Sequence, residues 1–154
     1  MANVVDALSA ADLSVVRDLL RDYQKSVGVN LLFEDFDGEL AGLPGPYARP
    51  GGRLLLVREG NEVAGCGALR PLSPGLCEMM RMWVRPQHRG HGLGRALAQA
   101  LLSAAREAGY RAVRLNTLAI MPQARALYRS LGFVPVEAGA GRQLPGTLFM
   151  ELKL

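Results

Sequence analysis

Residues 85–95 have the composition best suited to binding an anion, with three glycines within five residues and three arginines. They follow an apolar segment and open an amphipathic one, so the glycine-rich backbone lies where a helix is predicted to begin. Amide N–H groups at a helix N-terminus lack partners within the helix, and the helix dipole places positive charge there. This segment therefore predicts a phosphate site, and a row of successive N–H donors suits pyrophosphate.

The alternative for this segment is a tight turn that binds nothing. Its pattern, Arg89-x-x-Gly92-x-Gly94, lacks the Gly-Lys-Ser/Thr ending of a Walker A loop. A dinucleotide fingerprint would lie on the first strand and have an acidic residue about twenty positions later, near where this chain has Asn116. The residues alone exclude these two nucleotide motifs. They leave open whether the segment binds phosphate or is a turn that binds nothing.

Glu78 is the carboxylate best placed for proton transfer, because it opens the predicted strand that leads into the glycine segment. Strand alternation places it on the same side as Met80 and Met82, and an apolar setting raises the pKa of a carboxylate toward the range useful for a general base. The alternatives are an ordinary polar residue at a strand end and an ion-pair partner for Arg81.

His88 and His91 flank the glycine turn and could touch phosphate, but exposed loop histidines without a role are the simpler interpretation. Two histidines alone do not predict a metal site. Cys66 and Cys77 have no metal-ligand spacing and are expected to be buried apolar residues. No metal is predicted.

Composition describes one soluble domain over residues 1–154, with 49% hydrophobic and 21% charged residues. The net charge of +4 does not indicate nucleic-acid binding, because the arginines are scattered and aromatic residues make up only 6%. We expect no membrane association, since there is no signal peptide and no apolar stretch of transmembrane length. The two cysteines favour a reduced, cytoplasmic protein.

Hydrophobic periodicity predicts the elements that position these residues. Helices are predicted at 12–27, 33–40, 92–108 and 122–131, and strands at 3–7, 53–58, 62–71, 77–85, 113–118, 133–136 and 147–152. The three-strand meander implies antiparallel pairs, and the strand–helix–strand crossover implies a parallel pair. The predicted fold is α/β: a mixed, mostly antiparallel sheet of about six to seven strands with flanking helices.

Two sequence signatures resemble those of the GNAT-type N-acyltransferases. Residues 78–97 are similar to the family's acyl-CoA-binding motif, Gln/Arg-x-x-Gly-x-Gly/Ala. Residues 124–133, Ala-Arg-Ala-Leu-Tyr-Arg-Ser-Leu-Gly-Phe, resemble its second signature, Ala-x-x-Leu-Tyr-x-x-x-Gly-Phe. They occur in the family's order and together cover about residues 77–136. The resemblance implies a GNAT-like fold and acetyl-CoA as co-substrate.

The resemblance also assigns cofactor-binding roles. Backbone groups of Met82, Trp83 and Val84 would pair with the pantetheine arm like an added strand, and Asn116 could contact pantetheine or substrate. The residues whose N–H groups would hold the CoA pyrophosphate are Arg89, Gly90, His91, Gly92, Leu93, Gly94 and Arg95.

For catalysis, the resemblance implies that a primary amine attacks the thioester directly in a ternary complex. Tyr128 would protonate, or donate a hydrogen bond to, the departing thiolate. The alternative is that Tyr128 is a core aromatic, because it lies on an apolar face of its predicted helix. Glu78 would be the general base, with bound water as the alternative. Homodimers are common among such proteins.

Two features bear on the acceptor and on activity. Glu34, Asp35, Asp37 and Glu39 could form an acidic wall that attracts an amine, or simply a solvated helix face. Met121 stands where many family members have an Asn that reaches pantetheine, which would suit the alternative of a non-catalytic acyl-CoA-binding or sensor module. The sequence does not identify the amine acceptor.

Overall fold

A seven-stranded sheet organises the computed structural model, which describes residues 2–27, 35–118, 122–137 and 147–154. The strands are β1 (Ala2–Asp6), β2 (Arg53–Glu59), β3 (Glu62–Ser73), β4 (Leu76–Val84), β5 (Ala112–Leu118), β6 (Val134–Val136) and β7 (Thr147–Lys153). The helices are α1 (Ala10–Val27), α2 (Phe36–Ala41), α3 (Leu93–Glu107) and α4 (Pro122–Ser130). None of the helices in these ranges has the length and apolarity needed to cross a bilayer.

The strand order is β1-β2-β3-β4-β5-β7-β6, and the neighbouring strands are antiparallel except for β4 and β5. The parallel pair is the one that α3 connects, as expected for a crossover through a helix. The predicted mixed, mostly antiparallel sheet is therefore confirmed.

Two apolar layers cover the faces of this sheet. On one face, α3 buries Leu97 and Leu101 completely, and such burial is worth about 1.5–3 kcal/mol for each leucine. On the other face, α1 and α2 bury a second cluster that includes Leu20 and Phe36. Gly109 follows α3 in the left-handed region, with φ of 87°, as is common for a glycine just after a helix.

The strands β4 and β5 part before they end. Their register runs only from Leu76 opposite Ala112 to Glu78 opposite Arg114. Beyond this point β4 continues for six residues to Val84 without a described pairing to β5. One edge of the second half of β4 is therefore open for backbone hydrogen bonds to something other than β5.

A β-bulge interrupts the same half of β4. The pairs Ala68–Met80 and Cys66–Trp83 enclose one residue of β3 but two of β4. Arg81, the first of these two β4 residues, has φ of 59°. This lies in the left-handed region, which non-glycine residues adopt at a cost of about 1–2 kcal/mol. Other interactions must offset this cost.

The bulge reverses the alternation of side chains along β4. Met80 packs toward α1 and α2 with Trp83, whereas Met82 packs against the α3 layer. The expectation that Glu78, Met80 and Met82 share one side is therefore wrong for Met82, because an extra residue shifts the two-residue period by one.

Arg81 is held by a compact polar cluster. Its Nε and Nη2 atoms donate to the two carboxylate oxygens of Glu39, at 2.8 and 2.7 Å. The Tyr47 hydroxyl donates to the same carboxylate at 2.9 Å, and the guanidinium lies 5.4 Å from the centre of the Phe36 ring. A bidentate, mostly buried ion pair thus fixes the bulge against α2.

We predict that Arg81→Met lowers the free energy of unfolding by about 3 kcal/mol, because it leaves the Glu39 carboxylate largely buried without its cation. The same change at Arg21 should cost about 1 kcal/mol or less, since its partner Asp37 is 85% exposed. Urea unfolding of the two variants measures the difference. Equal losses would contradict the structural role assigned to Arg81.

The loss caused by Arg81→Met should depend on pH. Burial alone would raise the pKa of Glu39, but the hydrogen bonds and charge of Arg81 lower it below its ordinary value of 4.5. A depressed folded-state pKa stabilises the protein above the unfolded value, and this stability is lost as pH falls through the folded pKa. The difference between wild type and variant should therefore shrink below about pH 4.5.

Candidate active site

The glycine segment forms the turn between β4 and α3. Residues Pro86–His88 make one 3₁₀ turn, and the chain then passes through Gly90 and Gly92 with φ of 83° and 79°. A side chain at either position would be strained, which is why glycine is required. Gly92 caps α3 without any side-chain hydrogen bond to the helix, so the first-turn N–H groups remain suited to an anion.

A cleft of about 330 Å³ runs from the open edge of β4 past the start of α3 to α4. It brings together ten of the twelve residues predicted to bind the cofactor. Its lining residues are Met82, Trp83, Val84, His88, Arg89, Gly90, Gly92, Leu93, Gly94, Arg95, Gln123, Ala124, Leu127 and Tyr128.

Two predicted cofactor residues do not line this cleft. The His91 ring is half exposed and is engaged by the Glu59 carboxylate, with Nδ1 at 2.8 and 2.9 Å from its two oxygens. Asn116 is exposed on β5, at the register position opposite Phe149 of β7. The cofactor contacts expected of the His91 backbone N–H and of Asn116 therefore stay predictions.

Three lining residues, Gln123, Ala124 and Leu127, had no predicted cofactor role, and for His88 a phosphate contact was only the alternative to an exposed histidine without a role. The helical spacing of Ala124, Leu127 and Tyr128 could have identified two of them, because residues three and four apart share a face. His88 was expected to be exposed, but it is buried. It ends the 3₁₀ turn, and its ring lies against Glu59 and Glu62 of the β2–β3 hairpin.

The arginines of the cleft are held in place by specific contacts. The Arg89 guanidinium lies 4.8 Å from the Trp83 ring centre, and its Nε donates to the Val84 carbonyl at 3.0 Å. Arg95 donates to the Ser130 hydroxyl at 2.7 Å. Both cations thus flank the uncapped helix start, which concentrates positive potential where phosphate would bind.

Tyr128 lies on the wall formed by α4 and is buried, with its ring edge-on to Phe133 at 5.8 Å between centres. Burial raises the pKa of Tyr128 well above its ordinary value of 10, and the nearby Tyr23 phenol raises it further. The hydroxyl therefore stays protonated at neutral pH and can act as a donor. The burial of Tyr128 is therefore consistent with either of its two interpretations, a core aromatic or a catalytic residue.

Tyr23 is an aromatic of α1 that the sequence patterns did not assign to the site. Its ring stacks on Trp83 at 5.1 Å with an interplanar angle of 13°. Burial raises its pKa, partly opposed by the charge of Arg81. Tyr23 therefore stacks on the Trp83 wall of the cleft and lies within electrostatic range of Arg81 and Tyr128.

Glu78 is buried at the last paired position before β4 and β5 part. The expected apolar surroundings and the alternative partner Arg81 are both wrong: Arg70 of β3 binds the carboxylate, with Nε and Nη2 at 2.9 and 2.6 Å from Oε1. Antiparallel register places Arg70 directly opposite Glu78. Both contacts are to Oε1, so Oε2 is the oxygen better placed to accept a proton.

Comparison with known sequences identifies the family to which this fold and cleft belong. The sequence model of the acetyltransferase (GNAT) family matches residues 14–133. The chain belongs to the GNAT family. An uncharacterised N-acetyltransferase from Schizosaccharomyces pombe is 34% identical to it over 145 residues, 93% of this chain and 89% of the relative. The protein is accordingly a GNAT-type N-acetyltransferase.

Solved structures agree with this assignment. A Klebsiella pneumoniae protein, provisionally described as an acyl-CoA N-acyltransferase, is 30% identical with a TM-score of 0.76, over 100% of this chain and 98% of that one. A Salmonella typhimurium protein solved with acetyl-CoA has a TM-score of 0.74 at 23% identity, over 99% of this chain and 93% of that one. The expected GNAT-like fold is confirmed.

The acidic wall expected on the acceptor side of this GNAT protein is largely neutralised in its described part. Glu39 is bound by Arg81, and Asp37 by Arg21 at 2.6 Å. Asp35 is exposed, while Glu34 and Met121 lie outside the described residues. Most of the described acidic residues thus serve to fix α2 rather than to attract an amine.

The cysteines are structural, as predicted. Both Cys66 and Cys77 are buried and unpaired, and burial raises the pKa of each thiol to about 12. At neutral pH they are protonated, so neither is an activated nucleophile.

We predict that Gly94→Val weakens CoA binding more than about tenfold, because its methyl groups would occupy the cleft. A Cβ at Gly94 meets only the Leu127 Cδ2 atom at 3.5 Å, an ordinary contact, so the variant should fold with unchanged thermal stability. Gln99→Val, on the exposed side of the same helix, is the matched control. Calorimetric titration with CoA measures both, and unchanged affinity in Gly94→Val would refute the assignment of the cleft.

Proposed function

We propose that this GNAT protein transfers the acetyl group of acetyl-CoA to a primary amine by direct attack in a ternary complex. The observation that carries the proposal is one continuous cleft, which joins the open edge of β4, the uncapped start of α3 and Tyr128. Its three parts match the three parts of acetyl-CoA: an amide-rich arm, a pyrophosphate and a thioester.

The open β4 edge would bind the pantetheine arm. Backbone groups of Met82, Trp83 and Val84 lie beyond the last pairing with β5, so they can pair with the amides of an extended ligand as with an added strand. The backbone N–H groups from Arg89 to Arg95 would hold the pyrophosphate. The contact of the His91 side chain with Glu59 does not involve its backbone N–H. Arg89 could then exchange the Val84 carbonyl for a phosphate oxygen.

In the chemical step, the amine nitrogen attacks the thioester carbon and forms a C–N bond. Backbone N–H groups of β4 stabilise the oxyanion of the tetrahedral intermediate. The C–S bond then breaks, and the thiolate leaves against the Tyr128 hydroxyl. Glu78 is not among the residues that line the cleft, so the proton lost by the amine would reach Oε2 of Glu78 through a bound water, or would remain with that water.

Tyr128→Phe should lower kcat about 100-fold with little change in KM for acetyl-CoA, since it removes only the donor to the leaving group. Tyr110→Phe is the matched control, because its hydroxyl donates to the Gly51 carbonyl at 2.6 Å, away from the cleft. Acetyl transfer to a panel of amines, amino acids, polyamines and peptides provides the measurement. Equal rates in Tyr128→Phe and wild type would contradict the role of Tyr128.

Glu78→Gln should also lower kcat about 100-fold, because it removes the proposed acceptor of the amine proton. Glu151→Gln is the control, because Glu151 is likewise bound by an arginine, Arg114 at 3.0 Å, but has no role in transfer. If Glu78→Gln keeps the wild-type kcat, water alone is the base. CoA binding without turnover of any amine would instead favour the non-catalytic sensor module.

The cytoplasmic location and the homodimer expected from the sequence also belong to this proposal. The protonated, unpaired cysteines support a reducing compartment. Light scattering coupled to size-exclusion chromatography tests the homodimer.

A further inference from the structure

Three side chains with metal-binding atoms converge on the outer side of the glycine segment. Glu59 ends β2, His88 lies in the 3₁₀ turn after β4, and His91 follows within the glycine segment. The Nδ1 atoms of the two histidines are each 2.8 Å from Oε1 of Glu59. All three possible ligand atoms lie within 4.8 Å of one another.

His88 is placed between two carboxylates. Its Nδ1 faces Glu59, and its Nε2 lies 2.9 Å from Oε2 of Glu62 across the β2–β3 hairpin. The Glu62 oxygen is off the direction of the Nε2–H bond, so this buried nitrogen makes an ionic contact without a well-formed hydrogen bond. A neutral imidazole has one donor and one lone pair, so it cannot donate to both carboxylates.

A cation bound beside Glu59 would give each nitrogen of His88 a suitable partner. The His88 Nδ1 lone pair would then coordinate the ion, and the exposed Glu62 carboxylate would need only a small shift to accept a hydrogen bond from Nε2–H. A carboxylate behind a metal-bound histidine is a common device for fixing its tautomer and orientation. Glu62 thus fits the role of an outer partner, and Glu59 that of a direct ligand.

The donor set selects the kind of ion. Two imidazole nitrogens and one carboxylate oxygen are typical of Zn²⁺ sites with an open position, whereas Mg²⁺ and Ca²⁺ prefer oxygen ligands. Tetrahedral Zn²⁺ ligands lie about 3.3 Å apart, given bonds of about 2.0–2.1 Å. The observed separations of 2.8–2.9 Å therefore require shifts of a few tenths of an ångström. The half-exposed His91 can supply them.

We propose that Glu59, His88 and His91 bind Zn²⁺ or a similar divalent transition-metal ion. The ion would tie the β2–β3 hairpin to the segment proposed to hold pyrophosphate, and His88 connects the two because it also lines the cleft. The sequence alone predicts no metal, because two histidines three residues apart do not indicate that the distant Glu59 lies beside them.

Titration of tag-free, chelator-treated protein with ZnCl₂ tests the proposal. Calorimetry should show one Zn²⁺ bound per chain in wild type, and Co²⁺ should give the visible absorption of a nitrogen- and oxygen-ligated ion. Glu59→Gln and His91→Ala should each bind Zn²⁺ at least about tenfold more weakly, as expected for loss of a ligand. Glu107→Gln, a change to an exposed carboxylate elsewhere, should bind as wild type does.

Circular dichroism confirms that each variant is folded before it is titrated. Absence of stoichiometric Zn²⁺ binding in wild type, or wild-type affinity in folded Glu59→Gln, would overturn the proposal. The metal is titrated without acetyl-CoA or amine, so failure here is distinguishable from failure of the proposed acetyl transfer.

Discussion

The second half of β4 is the constraint on which the rest of the site depends. A strand inside a sheet normally uses both edges, but β4 loses β5 after Glu78 and keeps only β3. The bulge at Arg81 then turns Met82 toward α3 and Trp83 toward α1. The strained residue is held by its ion pair with Glu39, so α2, distant from the glycine segment in sequence, helps to shape the cleft wall.

Positive charge in the cleft comes from two sources of different kinds. The backbone supplies the uncapped start of α3, whose N–H groups are fixed by the helix and need no reorganisation to meet an anion. The side chains supply Arg89 and Arg95, each already restrained by Trp83 or Ser130. Restraint lowers the conformational entropy lost on binding, which favours a preorganised anion site.

The residues that sequence could place are those whose type reflects a local backbone requirement. Gly90 and Gly92 adopt left-handed φ, and the predicted helix at 92–108 differs from α3 by one residue at each end. The bulge could not be predicted, because one extra residue reverses a strand's alternation without altering its composition. The partners of Glu78 and His88 were missed for a related reason: Arg70, Glu59 and Glu62 reach them only through the register of neighbouring strands.

In the proposed mechanism, the raised pKa of Tyr128 decides how this residue would assist the leaving group. A free thiol has a pKa near 8.5, so complete proton transfer from a less acidic phenol is uphill by about 1.36 kcal/mol for each unit of difference. A hydrogen bond avoids this cost and still lowers the energy of the departing thiolate. In the proposed mechanism, the proton that finally neutralises the sulfur would come from solvent or from the attacking amine, through water or Glu78. In the proposed mechanism, Glu78 would thus take part as proton acceptor and Tyr128 as hydrogen-bond donor, each with a separate role in the same transfer.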